Sequence, residues 1–133
     1  MRTVFLDTVG LLALWNRSDQ WHAAARASFD GLDPARTRLI TSGFVMLECG
    51  NAAARHGFRS RIPEFRADLR AAGDLIEPTP FDVEEAWEAY RRGAEGSASF
   101  VDLTSFVVMR RLGVSEAFTN DRHFAAAGFV VLL

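Results

Sequence analysis

The chain has 133 residues, of which 49% are hydrophobic and 24% are charged, and its formal net charge at pH 7 is -2. This length suits one domain with a sizeable core, so we expect a single domain over residues 1–133, and the composition excludes a disordered chain. All 15 basic residues are arginine, which excludes sites built on lysine, such as a P-loop, a Schiff-base enzyme or a protein kinase.

Short apolar segments alternate along the chain with segments of helical pattern. The predicted strands span residues 2–6, 38–41, 75–77, 114–119 and 129–133. The predicted helices are 8–15, one capped by Ser18 and Asp19, 44–55, one with Pro63 in its first turn, one capped by Asp82, 102–111, and a turn or short helix at 120–127. This alternation predicts an α/β domain of three layers, with a mostly parallel five-stranded sheet flanked by helices.

Cysteine content and hydropathy indicate the expected compartment. Cys49 is the only cysteine, so the chain can form neither an internal disulfide nor a cysteine-rich zinc site, and we expect a cytoplasmic location. Asp7 interrupts the apolar stretch in residues 1–16 and no cleavage pattern follows, so we expect no signal peptide. No apolar run approaches the ~20 residues of a membrane span, so we expect no membrane partner.

Four acidic residues fall where predicted strands end or helices begin. They are Asp7 after the first strand, Glu48 on the helix after the second, Asp102 at the start of the helix before the fourth, and Asp121 after the fourth. Because the C-terminal ends of parallel strands share one edge of the sheet, we expect these carboxylates to converge there.

Clustered carboxylates need a compensating charge. At a separation of ~4 Å and an effective dielectric constant of about 20, each pair repels by roughly 4 kcal/mol. A divalent cation relieves this repulsion, and ligand sets made only of oxygen favour Mg²⁺ or Mn²⁺. Such an ion activates water and binds phosphoryl oxygens, so the predicted chemistry is phosphodiester hydrolysis.

Each acid also has an ordinary structural explanation. Asp7 and Asp102 could cap helices, Glu48 could be a solvated helix residue, and Asp121 could form a turn. The set of four at one edge of the sheet favours a metal site more strongly than any single member does.

In this order the four acids and their neighbours resemble the PIN-domain ribonucleases, in particular the VapC-type toxins of bacterial toxin–antitoxin pairs. The resemblance covers almost the whole chain and rests on residues 4–8, 45–48, 99–106 and 118–124, of which the last two stretches are the more specific. Val9 stands where many relatives have a small polar residue, a departure that affects a supporting contact and not a metal ligand.

This resemblance implies a PIN-like fold, Mg²⁺ or Mn²⁺ as cofactor, and endonucleolytic hydrolysis of RNA by metal-activated water. It implies that Asp7, Glu48, Asp102 and Asp121 are the catalytic metal ligands, and that Thr8, Ser105 and Thr119 are hydroxyl residues that support them. It also implies a cognate antitoxin that blocks the acidic site, and a homodimer or a toxin–antitoxin hetero-oligomer.

Outside the four acids, arginines outnumber acidic residues, which suits an anionic substrate. The candidate RNA contacts are Arg55, Arg59, Arg61, Arg122 and His123. An arginine fork fits phosphate well, although a biased genome composition also replaces lysine by arginine. Trp15 and Trp21 could stack on a base or simply pack.

Two other functions remain open. A catalytically silent PIN-like module that binds an antitoxin or RNA could retain the four acids without turnover. A phosphatase-type hydrolase with Asp7 as covalent nucleophile usually carries a second aspartate two residues later and a lysine. Val9 and the missing lysine count against this last alternative.

Overall fold

The computed structural model describes residues 1–133, which form five strands and seven helices. The strands are β1 (Arg2–Leu6), β2 (Thr37–Ser42), β3 (Leu75–Ile76), β4 (Glu116–Phe118) and β5 (Val130–Val131). The helices are α1 (Thr8–Trp15), α2 (His22–Asp30), α3 (Gly43–Ala53), α4 (Arg61–Ala72), α5 (Pro80–Arg92), α6 (Phe100–Leu112) and α7 (Arg122–Ala126). The predicted α/β class and the number of strands are confirmed.

All strands lie in one sheet of order β3-β2-β1-β4-β5, and every neighbouring pair is parallel. The central strand β1 contains Val4, Phe5 and Leu6, all 0% exposed, as expected of a parallel strand covered on both faces. The chain adds β2 and β3 on one side of β1 and then β4 and β5 on the other. This reversal opens a crevice at the C-terminal ends of β1 and β4, where ligands bind in open α/β sheets.

Helix α6 runs through the core. Its residues from Asp102 to Met109 are all buried, and Phe106 packs edge-to-face on Phe124 with ring centroids 4.9 Å apart. Burial of a phenylalanine side chain contributes roughly 1.5–3 kcal/mol, so α6 is held firmly in place. Its first turn therefore carries Asp102 to a fixed position beside the sheet edge.

The N-termini of α5 and α6 differ from the prediction for the same reason. Thr79 and Ser99 are the N-cap residues, and Asp82 and Asp102 stand at the third helical position of a capping box. In each helix the hydroxyl of the N-cap residue accepts a hydrogen bond from the backbone N–H of the aspartate. The aspartate carboxylate in turn accepts a hydrogen bond from the backbone N–H of the N-cap residue. The prediction of Asp82 as the cap was therefore wrong by three residues, and α6 begins two residues before its predicted start at Asp102.

Other boundaries also differ by a few residues, among them β4, which was predicted over 114–119 and spans only Glu116–Phe118. Helix α2 starts at His22 after the N-cap residue Trp21, because Asp19 instead accepts a hydrogen bond from the Trp21 N–H in the preceding turn. The fifth strand is limited to Val130–Val131, since it pairs only with the short β4 at the edge of the sheet. None of the helices has the length and apolarity needed to cross a lipid bilayer.

Candidate active site

A pocket of about 550 Å³ opens at the C-terminal edge of the sheet, and all four predicted acids line it. The lining residues are Asp7, Thr8, Val9, Glu48, Asn51, Ala52, Ser99, Asp102 and Asp121. No arginine or histidine is among them, so no basic side chain lines the pocket itself. We call it the acidic pocket.

Asp7 is the most enclosed of the four acids, at 1% exposure. It is the N-cap residue of α1, where its Oδ2 accepts from the Val9 N–H at 3.4 Å and from the Thr119 hydroxyl at 2.8 Å. Burial raises the pKa of Asp7 from 3.8 to about 7, and the neighbouring Asp102 charge adds to the rise, while the Thr119 hydrogen bond opposes it. Without a cation, a proton therefore occupies this carboxyl group for part of the time at neutral pH.

Glu48 reaches the pocket from α3. The Thr8 hydroxyl, in the first residue of α1, donates a 2.6 Å hydrogen bond to Glu48 Oε1. This contact couples α1 to α3 across the mouth of the pocket and restricts the glutamate to one orientation.

Asp102, in the first turn of α6, and Asp121, at the start of α7, bring carboxylate oxygens within 4.8 Å of each other. The pKa of Asp102 is raised by burial and by the charges of Asp121 and Glu48, against the opposing hydrogen bond from the Ser99 N–H. Asp121 is the N-cap residue of α7, and its Oδ1 accepts from the His123 N–H and from the His123 ring Nδ1, both at 2.8 Å.

His123 extends the hydrogen-bond chain beyond the carboxylates. Its Nδ1 donates to Asp121, so in the neutral ring Nε2 accepts from the Ser97 hydroxyl at 2.9 Å. One ligand atom from each of Asp102, Asp121 and His123 lies within 4.8 Å of the others. Of the five residues predicted to contact RNA, His123 is thus the one that touches a carboxylate of the pocket.

The three predicted supporting hydroxyls behave differently. Thr8 and Thr119 each donate to an acid of the pocket. The Ser105 hydroxyl, one helical turn after Asp102, is buried and has no hydrogen-bond partner in the protein. Such unpartnered groups are rare in native structures and indicate a missing water or ligand.

The four arginines predicted to contact RNA do not line the acidic pocket. Arg55 and Arg59 are exposed after α3, and the Arg59 guanidinium donates to the Ala54 carbonyl at 3.3 Å. Arg61 lines a different hollow, and Arg122 is exposed beside Asp121.

Three polar residues at the site were not predicted from the sequence as site residues. Asn51 lies three positions after Glu48 on α3, so helical periodicity alone would have placed it on the same face. Ser99 was expected only as a neighbour of Asp102 and is itself part of the lining. Ser97 belongs to the loop after α5, and no pattern in the sequence links it to His123.

Two observations favour a divalent cation in the acidic pocket. Its charged atoms are all carboxylate oxygens, the ligands that hard cations prefer. Its negative charge has no cationic partner within the lining, and burial together with mutual repulsion raises the pKa of Asp7 and Asp102.

Comparison with known proteins gives consistent matches over nearly the whole chain. The PIN domain family model matches residues 4–130. The chain is 34% identical over 128 residues to the 23S rRNA-specific endonuclease VapC20 of Mycobacterium tuberculosis, covering 96% of this chain and 95% of that protein. The crystal structure of VapC20, described as a Sarcin-Ricin loop cleaving toxin, matches with a TM-score of 0.81 and 33% identity, covering 96% of both chains.

A more distant structure shows the fold alone. FitAcB from Neisseria gonorrhoeae matches with a TM-score of 0.64 at 16% identity, covering 98% of this chain and 96% of that one. The fold therefore persists where little of the sequence does.

Proposed function

Because this chain belongs to the PIN-domain family, we propose that it is a metal-dependent endoribonuclease of the VapC toxin type, with the acidic pocket as its active site. One observation carries the assignment of the site. Asp7, Glu48, Asp102 and Asp121 come from four separate parts of the chain and line one pocket without a basic side chain among them.

The four acids would hold Mg²⁺ or Mn²⁺ through their carboxylate oxygens, directly or through water. When bound, such an ion supplies a water nucleophile at neutral pH and stabilises the charge that develops on the phosphate. The chain's own contribution is to fix the ligands: Thr119 orients Asp7, Thr8 orients Glu48, and His123 orients Asp121.

Asp7 also controls when the site can be loaded. Its pKa of about 7 in the cation-free protein means that the carboxyl group must lose a proton before it can ligate a cation. Cation binding should therefore release protons, and cation affinity should increase as the pH rises towards 7.

The relatives indicate the substrate. VapC20 is named a 23S rRNA-specific endonuclease, and the solved structure is described as cleaving the sarcin–ricin loop. Because this chain is 34% identical to VapC20 over 96% of its length, we expect it to have the same class of target, a structured loop of ribosomal RNA. The same proposal includes a cognate antitoxin that covers the acidic pocket in a hetero-oligomer. It also includes a homodimer of the toxin and a cytoplasmic location.

Cleavage of purified ribosomes and of total RNA, mapped by sequencing the new RNA ends, tests the function. The wild-type protein should produce discrete ends with Mg²⁺ or Mn²⁺ and none with EDTA, and Asp102→Asn should produce none. Asp68→Asn is the matched control, since Asp68 is exposed on α4 outside the pocket, and it should cut like the wild type.

Discrete ends that persist in Asp102→Asn would reject the assignment of the site. Binding of Mg²⁺ by folded wild-type protein without cleavage of any RNA would favour the catalytically silent module. Growth arrest in a bacterial host, present for the wild type and absent for Asp102→Asn, extends the test to the cell.

A further inference from the structure

A second hollow, of about 790 Å³, lies between the end of α1, the start of α2 and the connection from α3 to α4. Its charged and titratable lining residues are Arg17, Arg26, Arg61, His22 and His56, and no acidic residue lines it. We call it the basic hollow. Its charged lining residues are basic, whereas those of the acidic pocket are all carboxylates.

The positive charge of this hollow is available to a ligand. Arg17 and Arg61 are in no ion pair, although seven of the chain's other arginines are. Arg26 pairs with Asp30 at 3.4 Å, but both side chains are more than half exposed, and such a pair contributes little and exchanges easily. A bound anion therefore meets at least two guanidinium groups that have no competing carboxylate.

The histidines add a flat surface and a further polar atom. The His56 ring stacks on Phe58 with centroids 5.1 Å apart and an interplanar angle of 24°. His22 Nδ1 donates to the Ala13 carbonyl at 2.8 Å, which leaves its Nε2 without a partner. Aromatic surfaces beside arginine forks are the usual components of sites for single-stranded nucleic acid.

The basic hollow and the acidic pocket share two walls. Helix α1 begins at Thr8 in the pocket and ends at Trp15 in the hollow, a rise of about 10 Å at ~1.5 Å per residue. On α3, Asn51 and Ala52 line the pocket, and His56 just after the helix lines the hollow. A span of about 10 Å is short enough for a few nucleotides of one strand to reach from the pocket to the hollow.

We infer that the basic hollow binds backbone phosphates of the RNA substrate a few nucleotides from the cleaved bond, with Arg17 and Arg61 as the principal contacts. This inference rests on the proposed function, because it takes the acidic pocket as the place of cleavage. A guanidinium group recognises phosphate through two parallel hydrogen bonds. One RNA strand could then contact both sites: the basic hollow would bind its phosphates, and the acidic pocket would hold the bond that is hydrolysed.

The double variant Arg17→Gln/Arg61→Gln tests the inference against a matched control, Arg70→Gln/Arg92→Gln. The control removes the same charge from exposed arginines that form no ion pair and lie outside the hollow. Binding of a fluorescein-labelled single-stranded RNA is measured by anisotropy in EDTA over a range of NaCl concentrations, so the result does not depend on cleavage. Thermal melting followed by circular dichroism checks that both variants are folded.

The hollow variant should bind this RNA about tenfold more weakly, and the slope of log K against log [NaCl] should become shallower by about 1–2. The control should change the affinity by less than about twofold to threefold. On a cleavable substrate, the hollow variant should raise KM and leave kcat unchanged, because the lost contact is present equally in the ground and transition states.

Equal losses in the two variants would show that only net charge matters, and would overturn the inference. Unchanged RNA binding by the hollow variant would also overturn it, above all if that variant no longer bound its antitoxin, since the hollow would then be a protein-docking site. Weaker RNA binding by the hollow variant, together with no cleavage by the wild type, would uphold the phosphate contacts and reject the nuclease.

Discussion

The Thr119 hydroxyl donates a 2.8 Å hydrogen bond to Asp7 Oδ2, although 112 positions separate the two residues in the sequence. The oxygen of this Thr119 hydroxyl also accepts a hydrogen bond from the Asp121 N–H at 3.1 Å. Thr119 is 0% exposed and Asp7 1%, so water cannot replace either partner without a change in the fold. One hydroxyl thus fixes the side chain of one acid of the pocket and the backbone of another.

Thr119→Val removes this hydroxyl and keeps the shape of the side chain. We expect kcat/KM to fall by about 10–100-fold, with a higher Mg²⁺ requirement, because ligands lose affinity when their supporting partners are removed. Thr41→Val is the control, since the Thr41 hydroxyl is equally buried but donates to the Leu6 carbonyl at 2.6 Å. The control should lower the free energy of unfolding by about 1 kcal/mol without changing the Mg²⁺ requirement, and an identical response of the two variants would count against the role of Thr119.

Asp7→Asn should abolish cleavage and remove a pH-dependent loss of folding stability. The pKa of Asp7 is 3.8 in the unfolded chain and about 7 in the cation-free fold, so between these values the folded protein holds a proton that the unfolded chain lacks. The free energy of unfolding therefore falls as the pH rises from about 4 to about 7, by an amount on the order of 4 kcal/mol at most. The asparagine side chain of the variant does not ionise, so the variant should not show this fall.

Urea unfolding in EDTA at pH 5 and pH 8 measures the effect. The variant should be more stable than the wild type at both pH values, by about a third as much at pH 5 as at pH 8, and inactive in cleavage. A variant that is destabilised at pH 8 would show that the carboxylate is compensated in some other way. Mg²⁺ should stabilise the wild type at pH 8 and leave the variant nearly unchanged.

Gly10→Ala should be strongly destabilising although it lies in a helix. A Cβ at Gly10 would lie 2.1 Å from the Phe118 carbonyl oxygen and 2.6 Å from Phe118 Cδ2, so α1 and β4 would have to separate. We expect a loss of about 3 kcal/mol, measured by urea denaturation. Gly50→Ala is the control, because nothing lies within 4 Å of its Cβ position on α3, and it should stabilise the protein by about 0.5–1 kcal/mol.

Arg111→Met should reveal a pH-dependent link between α5 and α6. Arg111 Nε and Nη2 bind the 4% exposed Asp82 carboxylate at 2.9 and 2.8 Å. Burial acts to raise the pKa of Asp82, but Arg111 and the Thr79 N–H outweigh it, and the pKa is lowered from 3.8. The stabilisation is thus complete above pH 3.8 and is lost as the pH falls through the lower pKa of the folded state.

At pH 7 the variant should therefore lose about 1–2 kcal/mol, after allowance for the 40% exposure of Arg111, and the difference from wild type should shrink at pH 2. Arg91→Met serves as the control, since its partner Glu88 is exposed, and it should leave the free energy of unfolding nearly unchanged at both pH values. A difference that stays constant between pH 7 and pH 2 would mean that the lost contact is packing and not charge.

The sheet edge was the most predictable part of the molecule. Asp7 and Asp121 directly follow β1 and β4, and parallel pairing brings such positions together whatever their separation in sequence. Glu48 and Asp102 were predictable because one lies on the helix that follows β2 and the other on the helix that precedes β4, and both helices contribute to the lining at that edge. The order of the strands was not predictable, since nothing local in β1 says whether β2 or β4 is its neighbour.

Contacts between distant side chains were the least predictable. The bonds from Thr8 to Glu48 and from Ser97 to His123 depend on the packing of whole elements, and no spacing encodes them. The cluster of Arg55, Arg59 and Arg61 was visible in sequence, but only the turn between α3 and α4 decides that Arg61 lines the basic hollow and not the acidic pocket. Capping boxes at Ser99 and Thr79 were readable in principle, since a hydroxyl residue precedes an acid by three positions.

The pairing of β1 with β4 has a consequence for synthesis. During translation β1 emerges early, whereas the strand that flanks it, with Thr119 and Asp121 at its end, emerges 112 residues later. Long-range strand pairing of this kind is slow to form, and a nascent chain without β4 holds Asp7 without its hydroxyl partner. The acidic pocket therefore cannot be complete on a nascent chain until β4 and Asp121 have been synthesised.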